Sequence, residues 1–201
     1  MAIQPLPAHG TLNWDVPLNS ILGQLGNHWY PSDQGWLSWT HDPANNVGSA
    51  PLNTSGIVYM LAVPLRQITT VSTIIVGVQA AGGTLTAGQC FAGLYDSTGV
   101  RVGVTADQAA NWGTTGAKVM PLTAPALLQP GMYYVALLFN GGTGPALTRG
   151  ITDALGGVMN TNLTAATFRF SSGPTAQTSL PASITMASRT SVMTCWWAGI
   201  A

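Results

Sequence analysis

Charge is what this chain most lacks. Its 201 residues include six basic and six acidic side chains, and every acid is Asp, with Glu absent. A typical soluble domain carries roughly a quarter charged residues, so the polar surface here must come from Thr, Ser, Asn, Gln and backbone. The cations Arg66, Arg101, Lys118, Arg149, Arg169 and Arg189 are scattered singly. Neutralising several phosphates needs clustered cations, so no nucleic-acid partner is expected. No apolar run approaches the roughly 18 to 20 residues of a membrane-spanning helix, so no membrane insertion is expected. Residues 1–10 (MAIQPLPAHG) lack a basic n-region and an apolar h-region, which argues against a secretory signal and for synthesis in a cytoplasm. Two cysteines, Cys90 and Cys195, are too few for a disulfide framework, and both sit in apolar strand-like segments as small apolar groups.

What remains is rich in strand-forming sequence. In 57–65 Ile57, Tyr59, Leu61, Val63 and Leu65 alternate with Val58, Met60, Ala62 and Pro64, so both faces are apolar. Strands are also expected at 71–79, 90–96, 100–105, 117–122 and 132–139, with weaker ones near 166–170, 182–187 and 192–198. Residues 97–99 (STG) after Asp96 read as a hairpin turn, 80–88 as a Gly-rich turn, and Pro125 with 129–131 (QPG) as further turns. About eight short strands with turn signals between them indicate an all-β fold, an antiparallel sandwich of jelly-roll-like topology.

The first 26 residues follow another period. Leu18, Ile21, Leu22 and Leu25 recur at helical spacing, with Asp15 as N-cap, Pro17 in the first turn and Gly26 as the stop. So short a helix is marginal alone in water. Its apolar stripe packs either on the chain's own sandwich or on copies and neighbours in an assembly. The expected organisation is an N-terminal unit of helix and aromatic loop over 1–50, then a sandwich domain over 51–201.

Catalytic chemistry is poorly supplied. Asp15 reads as a cap and Asp96 as a turn residue, while Asp107 and Asp153 sit in loop-like contexts with no evident partner. A hydrolase would need two of Asp33, Asp42, Asp107 and Asp153 in one cleft. His28, Asp33, His41 and Asp42 fall together in one loop, but their spacing matches no metal motif and a structural role is expected. No nucleophile elbow or phosphate-cradling loop is present. The chain therefore reads as non-enzymatic, with no cofactor and no metal.

Aromatic residues carry the remaining signal. Trp29, Tyr30, Trp36 and Trp39 crowd into residues 28–43. Rings beside Asn, Gln and Asp suit a sugar-binding surface, where a ring stacks on a pyranose face. They equally suit a loop pinned to the sandwich or a subunit interface. Trp196 and Trp197 place one ring on each side of a strand, at least one of them facing the core.

Residues 13–22 (NWDVPLNSIL) resemble the N-terminal attachment segment of phage tail-fibre and minor tail proteins, in which a W-D-x-P-L-N pattern precedes a short helix. Residues 88–123 and 130–142 are similar to a β-sandwich module of virion proteins of actinobacteria-infecting phages, including minor tail and capsid-decoration-like proteins. The resemblance implies a virion component assembled in the host cytoplasm, with itself (a homotrimer), other virion proteins and a host surface glycan as partners. It places Trp14, Asp15, Pro17, Leu18, Asn19, Ile21, Leu22 and Leu25 on the side that anchors to tail or capsid. The competing reading is a carbohydrate-binding module of a secreted enzyme, monomeric and dependent on Trp36 and Trp39.

Overall fold

In the computed structural model, residues 29–151 and 158–201 are described. The helix expected over 18–25 and the whole anchoring segment lie outside them, as do His28 and Asp153. The described residues form an all-β sandwich whose strand pairs are all antiparallel. In chain order the elements are β1 (Ser38–Trp39), β2 (Gly48–Pro51), β3 (Val58–Leu65), β4 (Thr69–Ala80), β5 (Gly83–Leu85), β6 (Phe91–Asp96) and β7 (Arg101–Val104). A one-turn helix α1 (Ala109–Trp112) leads to β8 (Gly116–Leu128), β9 (Gly131–Leu138), β10 (Gly141–Thr143), β11 (Ala146–Arg149), β12 (Phe170–Ser172), β13 (Thr190–Ser191) and β14 (Ala198–Ile200).

The first sheet is organised by β4, whose β-branched run holds an extended backbone. One edge of β4 pairs with β8. The other is shared end to end by β14 and β11, which extend the sheet to β1 and β2. Strands β1 and β2 therefore lie inside this sheet, although residues up to 50 were read from the sequence as part of the N-terminal unit. The second sheet runs β13-β12-β3-β9-β6-β7. Between the sheets, Leu61, Val63, Ile74, Val76, Leu94, Met120, Val135, Leu137 and Trp196 are buried in one core. A pair of very short strands, β5 and β10, forms a separate ribbon, and β5 lies inside the stretch expected as a plain Gly-rich turn.

Strand β8 runs through Pro125 to Leu128 instead of turning there. Its ladder with β4 shifts between Val71 and Thr73, and at this break Leu122 pairs with Thr105 while Thr123 Oγ1 donates to Val104 O at 3.1 Å. Pro121 and Pro125 lack the N–H that an unbroken ladder would use, which suits them to a strand that changes partners.

The apolar second face of β3 has its own cover. Val58 and Met60 join Tyr95, Tyr134, Ala136 and Leu138 beneath Leu180, Ile184 and Met186. Each such apolar side chain contributes about 1.5–3 kcal/mol on full burial. The covering segment was expected as a strand at 182–187. It is instead irregular, its backbone joining the start of β7 through the single Val100–Ser183 bridge before a 3-10 turn at Met186–Ser188. Arg189 fastens it: the buried guanidinium donates to Ala165 O, Met186 O and Ser171 Oγ, and lies 4.3 Å from the Tyr134 ring centre. The strands expected near 166–170 and 192–198 are displaced to β12 and β14, sharing with those ranges only Phe170 and Ala198.

Candidate functional site

A groove of about 850 Å³ lies where the 30–41 loop meets β3. The opening follows from strand lengths. Strand β12 pairs with β3 only over Tyr59–Leu61, and one further bond, Ala62 N to Arg169 O at 2.8 Å, ends the contact. Beyond it Pro64 has no N–H to offer, and its carbonyl accepts Ser38 Oγ at 2.6 Å. The half-paired edge of β3 is thus met by a side chain of β1 and not by a paired strand.

The 30–41 loop is built from local turn chemistry. Pro31–Gln34 forms a 3-10 turn in which Asp33 Oδ2 accepts Tyr30 N at 2.8 Å, and Gly35, at φ 74°, makes the reversal. Asp42 Oδ1 accepts Ala44 N at 2.8 Å and starts a second turn at Pro43–Asn45. Strand β1 then joins β14, with Trp39 opposite Gly199. The Trp36 ring packs on Trp197 at 5.0 Å and edge-on to Trp39 at 5.9 Å. A Cβ on Gly199 would meet Trp197 and Trp36 at 3.3–3.4 Å, so the smallest residue sits where the rings close over the strand.

Both C-terminal tryptophans are buried and both N–H groups are satisfied. Trp196 Nε1 donates to Ala50 O at 2.9 Å, Trp197 Nε1 to His41 O at 3.0 Å. Trp196 faces the inter-sheet core against Tyr59, whereas Trp197 belongs to the Trp36 cluster on the other side.

Tyr30, Trp36 and Trp39 border the groove, as do Ala62, Pro64, Met132, Arg66, Gln67 and Arg169. Trp29 does not, and stands 61% exposed just ahead of the loop. Trp36 also borders a second depression of about 560 Å³ shared with Trp197, Gln79 and Thr148, so it forms the ridge between two hollows. No acidic residue is among the described residues lining the larger groove. Asp33 and Asp42 serve their turns, Asp107 accepts Cys90 N at 3.0 Å, and none of the three reaches the groove. Asp153, the fourth carboxylate of the hydrolase reading, lies outside the described residues. Among the described residues no group of His, Cys and Asp is arranged to hold a metal ion.

One arrangement could not be read from the sequence. Cys195 Sγ lies 3.4 Å from His41 Nδ1, and His41 Nε2 lies 2.9 Å from Asn46 Oδ1. With Asn46 Oδ1 accepting, Nε2 carries the proton and Nδ1 presents its lone pair to the thiol. Connectivity of this kind serves thiol nucleophiles elsewhere, but the surroundings here oppose activation. Burial pushes the Cys195 thiol up to about 11, against the weaker pull of Arg169. Burial also holds His41 below its ordinary value, Arg169 adding to the effect while the Asn46 bond and Asp42 oppose it. A buried neutral thiol beside a neutral imidazole is an unreactive pair. It clasps the loop to the segment leading into β14, across 154 residues of sequence. Cys90 is likewise free and buried, its Sγ facing the carbonyls of Thr86 and Asn140.

Compared with known proteins, the chain matches no family model, and no curated protein matches it.

Proposed function

We propose that this protein is a non-enzymatic structural component of a phage virion, attached to tail or capsid through its N-terminal segment and exposing the sandwich. The observation that carries the reading is the exterior. It is nearly free of charge yet displays Val119 and Leu127 on β8 at 63% and 67% exposure. Such a surface risks self-association on a free monomer, whereas contacts within an assembly cover it. Lys and Glu, which interfaces tend to exclude, are here one residue and none.

The groove is the outward-facing part, and its ligand is a host surface glycan. Tyr30, Trp36 and Trp39 supply ring faces, and Gln67 and Ser32 supply neutral hydrogen-bonding groups beside them. Sugar rings need both, a flat apolar platform and polar partners for hydroxyls. Mass spectrometry of purified phage particles tests the structural role: the chain is expected as a stoichiometric component of the particle. Particles that lack it, with the chain left in the lysate supernatant, would overturn the reading.

A further inference from the structure

We infer that the groove is selective for an anionic saccharide, one bearing carboxylate or phosphate groups, with Arg66 and Arg169 as the residues that read the charge. This rests on the glycan reading above and narrows it to a chemical class.

The inference starts from an inventory of six cations. Arg101 donates to Leu180 O, Arg149 to Ser49 O and Gly150 O, and Arg189 to two carbonyls and a hydroxyl. Lys118 donates to Thr114 Oγ1 and Thr115 O. Each of these four is committed to holding the chain's own backbone or side chains. Among the described residues only Arg66 and Arg169 have side chains that donate no hydrogen bond within the protein, and these are the two that border the groove. Both are exposed, and among the described residues no carboxylate lines the same space.

In a chain with no net charge, this is a local excess of positive charge beside aromatic rings. A guanidinium presents a planar fork of donors that matches carboxylate and phosphate oxygens two at a time. Arg169 already acts on its surroundings, since its charge contributes to the lowered His41 and opposes the raised Cys195. A neutral glycan would leave both forks facing water, whereas an acidic one would engage them while its rings lie on Trp36 or Trp39. Carboxylate-bearing and phosphate-bearing saccharides share this chemistry, and separate probes tell them apart.

The test titrates the full chain, followed by tryptophan fluorescence, with three probes: an oligogalacturonate, a glycerol-phosphate teichoic polymer and a neutral galactan of similar length. At least one anionic probe is expected to bind about tenfold or more tightly than the neutral one, a difference of about 1.4 kcal/mol. That preference is expected to weaken as salt rises and to vanish in the Arg66→Gln/Arg169→Gln double variant. Trp36→Ala is expected to weaken every probe that binds. Equal binding of neutral and anionic probes would overturn the inference and leave the glycan reading standing, as would a preference that survives the double arginine change. Binding of none of the three would remove both. Near-UV circular dichroism of each variant verifies that the fold is intact, as expected for exposed arginines.

Discussion

Single residues carry more of this fold than the sparse charge suggests. Asp96 Oδ1 accepts Thr98 N, Thr98 Oγ1 and Val100 N at 2.7–3.0 Å, closing the β6–β7 hairpin. Partial burial pushes this carboxyl up, but the bonds from Thr98, Val100 and Gly99 together outweigh it and hold it below the usual value. The folded chain therefore binds this proton less readily than the unfolded one. Asp96 adds stability above the ordinary carboxylate range and loses it as pH falls through the lower folded value. Asp96→Ala is expected to cost about 1–2 kcal/mol at neutral pH in denaturant titration, with the gap to wild type narrowing in strong acid.

At the other cluster the sign for His41 is similar. Its lowered folded value makes stability full above the ordinary imidazole range and decreasing as pH drops through it. The melting temperature is expected to fall between about pH 7 and about pH 5, and to fall less in His41→Gln. Cys195, raised by burial, should resist iodoacetamide at about pH 8 in the native chain and react once the chain is unfolded. Rapid alkylation of the native protein would show that the clasp is a reactive site after all.

Among the elements, the covering segment over the second sheet depends on one buried cation. Arg189→Ala would remove bonds to Ala165 O, Met186 O and Ser171 Oγ together with the Tyr134 contact. A loss of about 2–4 kcal/mol is expected, with proteolysis beginning in 175–188. Unchanged stability and cleavage would show that Leu180, Ile184 and Met186 hold the segment by themselves.

This element also shows what sequence can and cannot disclose. The double-sided apolar pattern of 57–65 announces a strand buried on both faces, and the hairpin at Asp96–Gly99 is written in its turn residues. The cover over the second face was misread as a continuous strand because its apolar residues are spaced like one, although its backbone pairs only at the single Val100–Ser183 bridge. The groove was half legible. Tyr30, Trp36 and Trp39 stand out as a cluster, but Arg66 and Arg169 come from positions 103 residues apart and meet only because β12 stops short along β3. The Cys195–His41–Asn46 clasp was hidden for the same reason: proximity between positions distant in the chain leaves no trace in spacing.

Taken as one molecule, the chain has no net charge and exposes apolar side chains such as Val119 and Leu127, which partners in the proposed assembly would cover. The central claim is that those partners begin with copies of itself. Size-exclusion chromatography with light scattering on the full 201-residue chain at micromolar concentration measures this directly. A mass of three times the 20.8 kDa chain is the expected result, whereas a stable 20.8 kDa monomer would contradict it and favour a detached binding module.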